Sequence, residues 1–370
     1  MLYIITCLFV SLSLILPKNK FLFFVFSSWL ILLFSLNNGG ADFDGYEAYF
    51  EVSKDWSINL FKSDSFLFNT GYLAHLLNLD LLEHNFIVYT PIFLLVFVII
   101  YKFSKYPNLV LVLFCIFPYI DFVIQKRNTL AVSFILIGIY FFIKRFGDRI
   151  GILVYLICCY IAHLIHSSSI AYIMFIPVYY IFTIRNSIFK KAFFTVSFII
   201  LLFFMLNIDT VMNVFFSGKV QAYILNEEGR ISFLKVSIFI LIHLMYLFVQ
   251  KLSYDLYKEK YSSNEINEKE LFMIKVFYTI SLMSIYFIPL YFINITFFRI
   301  FRNLFLLIFI SSTNILLFNY RRLSLSKLLF LILLFIIQIG MFLFSYVLTG
   351  DNSFYKLVHP IFTDNILLFN

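Results

Sequence analysis

The stretch Ile161–Ser169, IAHLIHSSS, interrupts about thirty otherwise apolar residues with two histidines and three hydroxyls. His163 and His166 are three positions apart, so a helical backbone would direct both to one face. Polar side chains at membrane depth cost on the order of 1–3 kcal/mol each, so solubility in a bilayer does not explain them. Two interpretations follow. In the first, the stretch is a turn between two short spans, and Ser167–Ser169 bond to the unpaired backbone groups at the helix ends. In the second, the stretch belongs to a functional site.

Composition indicates an integral membrane protein. Hydrophobic residues make up 62% of the 370 residues and charged ones 13%, with 52 phenylalanines, which no soluble fold of this size matches. The 28 Lys and Arg exceed the 20 Asp and Glu, but no stretch combines basic residues with aromatics as a nucleic-acid-binding domain does. The four cysteines lie in apolar runs and predict neither a disulfide framework nor a metal site. Residues 2–16 lack a basic start and a cleavage site, which predicts a retained span.

Apolar runs predict an all-α polytopic transmembrane protein with about twelve spans, several of them short or broken. These runs cover residues 2–16, 21–36, 86–101, 108–123, 128–143, 150–165, 168–183, 192–207, 232–249, 271–290, 298–318 and 326–348. The polar breaks at 124–127 and 166–167 are expected at the tips of short helices that face an aqueous cavity, where irregular backbone is tolerated.

The distribution of charge predicts the orientation. Alternate connections carry most of the basic residues and are therefore assigned to the cytoplasm, which places both termini outside it. We expect a single transmembrane domain over residues 1–370, with extracytoplasmic loops 37–85 and 207–231 and a charged cytoplasmic connector at 250–270. Within the first outer loop, FNTGYLAHLLNL has the spacing of an amphipathic helix.

On this topology, the polar side chains that are energetically unfavourable at membrane depth lie at the extracytoplasmic ends of spans. They are Asp42, Asp44, Lys126, Arg127, His163, His166, Arg299 and Arg302. The arginines lie on the side that the positive-inside rule depletes of cations. They either reach to lipid headgroups or form a cluster that receives an anion, since arginine offers a planar, bidentate fork suited to phosphate oxygens.

The Gly- and Asp-rich segment around Asp42 and Asp44 is typical of a turn, or it belongs to the site. Several other classes of site lack their motifs. The spacing does not suit an EF-hand, no glycine-rich phosphate loop occurs, and no G-x-S-x-G elbow is present. His163 and His166 lack the intervening Glu of a zinc-protease helix, and no cluster supplies further ligands, so we expect no metal and no cofactor.

Four segments in order carry a resemblance to a known family. They are GGADFDGYEAYF, FNTGYLAHLLN, QKRNTLAVSFILIGIYF and IAHLIHSSSIAYIMFIPVYY. Together they resemble the motifs of the EpsG-like branch of the Wzy polysaccharide polymerases. The resemblance implies a membrane glycosyltransferase of the GT-C type. Such an enzyme acts at the outer face of the bacterial cytoplasmic (inner) membrane on undecaprenyl-pyrophosphate-linked oligosaccharides.

The expected function is therefore an O-antigen or capsular repeat-unit polymerase. It transfers the growing glycan from its lipid pyrophosphate to a lipid-linked acceptor unit. Its expected partners are this lipid-linked oligosaccharide, membrane lipids and a chain-length regulator protein, with no nucleic acid.

Roles for individual side chains follow from that chemistry. Arg127 with Arg299 and Arg302 would clamp the pyrophosphate, assisted by Lys126. The general base would be His166, His163, Asp42 or Asp44, with His166 favoured. Tyr46 and Tyr49, three positions apart, would stack on sugar rings.

Three rival functions remain. A flippase for lipid-linked oligosaccharides would also need arginines in a cavity, but no pairing of halves is visible in the sequence. An O-antigen ligase uses the same chemistry with a different acceptor. An acyltransferase of surface sugars would need its histidine near the cytoplasmic acyl donor, the opposite side on this topology.

Overall fold

The structure is a computed structural model that describes residues 1–184, 233–315, 325–348 and 353–368, with isolated positions between 188 and 203. Most of run 192–207 and the outer loop 207–231 lie outside the described residues. The described residues are helical, and their only β-type pairing is an isolated bridge between Asn37 and Asn365. This confirms the all-α prediction.

Two compact units divide the chain, and each is described by itself. The first comprises Met1–Tyr172 and Phe309–Asn370, and the second Ile173–Ile308. The prediction of one domain over residues 1–370 stays a prediction.

Nine helices begin the first unit. They are α1 Leu2–Ile15, α2 Lys20–Ser35, α3 Phe43–Ser53, α4 Phe66–Leu76, α5 Leu81–Phe103, α6 Pro107–Ile116, α7 Tyr119–Ile124, α8 Lys126–Lys144 and α9 Arg149–Ile165. A 3₁₀ helix, Ser167–Met174, follows α9 and leads to α10. Within the described residues, the α-helices that follow are α10 Phe175–Thr183, α11 Phe233–Ser262, α12 Glu268–Met283, α13 Phe298–Arg302, α14 Phe305–Asn314, α15 Leu325–Leu343 and α16 His359–Thr363.

Eleven of the twelve predicted runs coincide with described apolar helices, but few of these helices are long enough to cross a bilayer without tilting. Five pass a length and hydropathy criterion: Leu81–Phe103, Lys126–Lys144, Phe233–Ser262, Glu268–Phe292 and Phe330–Leu348. A sixth is the pair Ile295–Arg302 and Phe305–Asn314, bent by 43°. Five more are apolar but only 10–17 residues long. The protein is thus an all-α polytopic membrane protein whose spans are unequal, as the short runs predicted.

Both predicted polar breaks interrupt helices. Gln125 separates α7 from α8, and the Thr129 hydroxyl donates to the carbonyls of Phe122 (2.6 Å) and Gln125 (3.2 Å). His166 ends α9 in an extended conformation, with φ −149° and ψ 113°. Side-chain bonds of this kind satisfy backbone groups that a break would otherwise leave unpaired in the membrane.

Helices α8 and α9 form an antiparallel hairpin. Asp148 in the connecting turn accepts from the Gly151 N–H at 2.7 Å and caps α9. The helices pack closely at Gly138, where an added Cβ would lie 3.0 Å from the Cβ of Cys158. The return of the chain brings the start of α8 and the end of α9 to the same end of the hairpin.

Aromatic side chains form the centre of the first unit. Phe34 of α2 packs on Phe93 of α5 with ring centroids 4.6 Å apart, and Phe97 of α5 lies 6.4 Å from Phe114 of α6. All four are at most 1% exposed. Burying rings of this size contributes most to holding these helices together.

The second unit is organised on α11 and α12, which are joined by a tight turn. Asn267 and Glu270 form a capping box at the start of α12. The predicted connector at 250–270 is largely helical, because α11 continues to Ser262 with Gln250, Ser253 and Tyr257 buried along one face.

Candidate functional site

Asp64 joins two of the predicted site residues. Its Oδ1 lies 3.7 Å from Arg127 Nη1 and 3.8 Å from His166 Nδ1, and it accepts a hydrogen bond of 3.2 Å from the Ser167 N–H. Arg127 begins α8 and His166 ends α9, so the helical hairpin places both at one end. The connection between α3 and α4 then brings Asp64 between them. We call Asp64, Arg127, His166 and Ser167 the Asp64 cluster.

The backbone of Asp64 is held in an unusual conformation. Its φ is 60°, in the left-handed region that Asp and Asn tolerate better than most residues. The following residue, Ser65, is buried, and its hydroxyl donates to the Asn59 carbonyl at 2.8 Å. Strained residues that the surrounding structure holds in place occur often at functional sites.

The Asp64 carboxylate is ionised at all working pH values. Burial tends to raise its pKa, but the His166 imidazole, the Arg127 guanidinium and the Ser167 N–H together lower the pKa to about 2. The side chains of Asp64, Arg127 and His166 are 29%, 27% and 11% exposed, so the cluster is partly buried and still reachable from outside the protein.

Two tyrosines of α3 hold Arg127. The Arg127 backbone N–H donates to the Tyr46 hydroxyl at 3.2 Å, and the guanidinium carbon lies 5.7 Å from the centroid of the Tyr49 ring. Burial raises the pKa of the Tyr46 hydroxyl above its usual range. The 3.7 Å between Arg127 Nη1 and Asp64 Oδ1 is longer than a hydrogen bond. The guanidinium can therefore still donate hydrogen bonds to an anion.

His163 supports the turn that contains His166. Its Nδ1 lies 3.1 Å from the Ser167 carbonyl and must donate to that oxygen. Ser167 is therefore fixed from two sides, through its carbonyl by His163 and through its N–H by Asp64. The expected division of roles, with His166 at the break and His163 orienting a neighbour, agrees with this geometry but stays a prediction.

Three further predicted residues belong to the first unit, namely Lys126, Asp42 and Asp44. Lys126 is 2% exposed, and its ammonium donates to the Asn37 carbonyl at 3.2 Å. Adjacent positions on a helix face different directions, which separates Lys126 from Arg127. Asp42 and Asp44 are exposed at the start of α3. Whether they act in chemistry stays a prediction.

Arg299 and Arg302 belong to the second unit, on the short helix α13. Arg299 Nε donates to the Thr296 carbonyl at 3.0 Å, and Arg302 is 7% exposed. A buried histidine holds this helix: the His243 ring stacks on Phe301 at 3.6 Å, with Tyr291 and Ser284 hydroxyls 2.7 and 2.8 Å from its nitrogens. The role of Arg299 and Arg302 as a pyrophosphate clamp stays a prediction.

Among the described residues, no group of three His, Cys, Asp and Glu side chains is placed to hold a metal ion.

The model of the EpsG family matches residues 18–358 of the 370, which includes every residue of the Asp64 cluster. No curated protein and no solved structure gives a significant match.

Proposed function

The chain belongs to the EpsG family, and from this membership we propose that it is a glycosyltransferase that polymerises the repeat units of an O-antigen or capsular polysaccharide. In this proposal it acts at the outer face of the bacterial inner membrane, and the GT-C type is part of the proposal. Its substrates are undecaprenyl-pyrophosphate-linked oligosaccharides. The observation that carries the mechanism is the Asp64 cluster, which links an arginine, a carboxylate and a histidine at two helix breaks.

The reaction forms one glycosidic bond and breaks one bond to phosphate. A hydroxyl oxygen of the acceptor unit bonds to the anomeric carbon of the donor glycan. The bond from that carbon to the pyrophosphate oxygen breaks, and the lipid pyrophosphate leaves with the bonding electrons. The proton of the acceptor hydroxyl passes to a base.

His166 is the base that the geometry favours. Its Nδ1 lies 3.8 Å from Asp64, so a proton on Nδ1 faces the carboxylate, and in this proposal Nε2 takes the proton of the acceptor hydroxyl. As the imidazole becomes positively charged, the neighbouring carboxylate stabilises it. Asp64 is a positioning residue in this scheme, and it also keeps the ring in one orientation.

In this proposal Arg127 stabilises the leaving group. Its charge persists at every working pH, and its planar fork can donate two parallel hydrogen bonds to phosphate oxygens. Stabilisation of charge that develops in the transition state is commonly the largest contribution to catalysis. Held by Tyr46 and Tyr49, the guanidinium needs little reorganisation when the substrate arrives.

Deletion of the gene tests the proposed function through the surface glycan. A polymerase mutant is expected to leave lipid A-core capped by a single repeat unit. Uncapped core with polymer retained on the lipid carrier would identify a ligase instead. Loss of all outward-facing lipid-linked units would identify a flippase. Either of the latter results would overturn the proposal.

A further inference from the structure

The connection between α3 and α4, residues 54–65, carries three exposed apolar side chains just before Asp64. Phe61 is 84% exposed, Leu60 63% and Ile58 51%. We call Ile58, Leu60 and Phe61 the apolar tip. Single exposed apolar residues are common in proteins, but a group of them within four positions is typical of a surface that binds another protein or a membrane.

The apolar tip is held on the outside by a network of hydrogen bonds. The Asn69 side chain accepts from the Asn59 N–H at 2.9 Å and donates to the Asn59 carbonyl at 2.8 Å, which fixes the middle of the tip to α4. The Asn59 side chain in turn accepts from the backbone N–H groups of Phe61 and Lys62, both at 3.0 Å. An asparagine that accepts from the residues following it stabilises a turn. The polar groups of the loop thus fix its backbone, and the apolar side chains point away from the protein.

The residues around the apolar tip are of the kinds that favour a membrane interface. Lys54 and Lys62 lie on either side of the tip and are exposed, and neither forms an ion pair in the part of the chain that the structure describes. The Lys62 ammonium lies 5.3 Å from the centroid of the Trp56 ring. Tryptophan and lysine are suited to the depth of lipid headgroups, where the ring or the alkyl stem contacts apolar chains and the polar end contacts water or phosphate. Two lysines against one aspartate, Asp55, give residues 54–62 a net charge of +1, which is complementary to anionic headgroups.

The position of the loop agrees with a membrane surface. Asp64 follows Phe61 by three residues, so their α-carbons are at most about 11 Å apart. Asp64 itself lies beside Arg127 in the first turn of α8, which is long and apolar enough to cross a membrane. A helix of 19 residues is about as long as the hydrocarbon core is thick, so its first turn lies close to a lipid surface. The apolar tip therefore lies near the same level.

We propose that the apolar tip inserts into the lipid leaflet at this end of the α8–α9 hairpin, with Lys54 and Lys62 bound to anionic phosphate headgroups. A stable protein interface buries about 800 Å² on each partner, more than three side chains supply, whereas a lipid leaflet accepts apolar side chains singly. Insertion of the tip holds Asp64 close to the lipid phosphates, whichever reaction the Asp64 cluster performs.

Spin labels on the full-length protein in nanodiscs of phospholipid alone test the proposal. Cys7→Ser and Cys115→Ser first remove the two native thiols that are not buried. A nitroxide is then attached at Phe61→Cys, or at Leu60→Cys if the former fails to fold, with Asp55→Cys as the matched control in the same loop. Relaxation by oxygen, which concentrates in the bilayer, is compared with relaxation by a water-soluble nickel chelate. We expect oxygen to dominate at the tip and the nickel chelate to dominate at the control position.

The lysines are tested by the lipid composition of the nanodiscs. With phosphatidylglycerol present, the ratio of oxygen to nickel relaxation at Phe61→Cys should exceed the ratio in phosphatidylcholine alone, and high salt should reduce the difference. Lys54→Gln together with Lys62→Gln should abolish it. A difference that the double variant keeps, or no difference in the parent protein, would overturn the binding of headgroups by these lysines.

Three results would overturn insertion of the tip. Dominant relaxation by the nickel chelate would place the tip in water. Exclusion of both reagents would mean that protein covers it, and spin–spin broadening would then identify a second copy of the chain. Oxygen dominance that arises only after a polyprenyl phosphate is added would make that lipid, and not the bilayer, the occupant. The deletion phenotype does not depend on these results, so insertion of the tip and the proposed polymerase function can fail separately.

Discussion

Replacing Asp64 by asparagine isolates the charge of the carboxylate from its shape. Asparagine tolerates the left-handed φ of 60° almost as well as aspartate, and its side-chain oxygen can still accept from the Ser167 N–H. The substitution removes the negative charge 3.7 Å from Arg127 Nη1 and 3.8 Å from His166 Nδ1. We therefore expect a folded protein with an impaired reaction.

The magnitude follows from the same distances. At an effective dielectric constant of about 20, unit charges 3.8 Å apart attract by about 4 kcal/mol. Because the Asp64 side chain is 29% exposed, solvent reduces this to roughly 2 kcal/mol for the imidazolium that forms during reaction. A loss of roughly 2 kcal/mol in the transition state lowers the rate about thirtyfold.

The lowered pKa of Asp64 expresses the same contacts as a contribution to stability. The difference between the ordinary value of 3.8 and about 2 corresponds to roughly 2 kcal/mol in favour of the ionised form. A depressed pKa in the folded state stabilises the fold above the unfolded value near pH 4, and this contribution is lost as pH falls through about 2. At neutral pH, Asp64→Asn should therefore also lower the free energy of unfolding by up to roughly 2 kcal/mol.

The assay uses the substrate that the cell itself makes. Lipid-linked repeat units extracted from the deletion strain are incubated with purified wild-type or variant protein, and chain growth is followed on a gel. Asp55→Asn is the control, because Asp55 is exposed in the same loop. A folded Asp64→Asn protein that polymerises within about threefold of the wild-type rate would refute the role of the carboxylate.

Three further predictions concern the residues identified from the sequence. Arg127→Lys should abolish long chains as completely as Arg127→Ala, since an ammonium cannot form the bidentate fork; long chains at normal protein level would indicate a lipid anchor. His166→Gln should abolish polymerisation and His163→Ala should weaken it less, as judged by glycan gels of complemented deletion strains; full-length glycan from His166→Gln would assign the base elsewhere. The double variant of Asp42→Asn with Asp44→Asn should shorten the chains if these carboxylates bind sugar hydroxyls, and undiminished polymer would remove them from the site.

Hydrophobic patterning predicted most of the fold. The apolar runs located the described helices, and the polar residues at 124–127 and 166–167 located both breaks. The number of full spans was less predictable, because an apolar run of 10–17 residues can form a tilted span, a half-span or a buried helix. The extension of α11 to Ser262 was missed, since charged residues on its exposed face resemble a loop in composition.

The site could be predicted only in part. Arg127 and His166 stood out because each interrupts an apolar run, and polar side chains there are expensive. Asp64 gave no such signal. It lies in a polar segment, two residues before α4, where an aspartate is commonly a helix cap or a turn residue.

The surroundings of Arg127 bear on the choice between a lipid anchor and an anion-binding residue. An arginine that anchors a helix reaches toward the headgroups, and no rigid protein contacts are needed to hold it. Arg127 instead has its backbone held by Tyr46, its guanidinium near the Tyr49 ring and its Nη1 beside Asp64. Such fixation sacrifices side-chain entropy of up to about 2 kcal/mol, a cost that brings no benefit to an anchor. For a group that must meet a developing phosphate charge the same fixation is useful, because a preorganised donor does not have to reorient during the reaction.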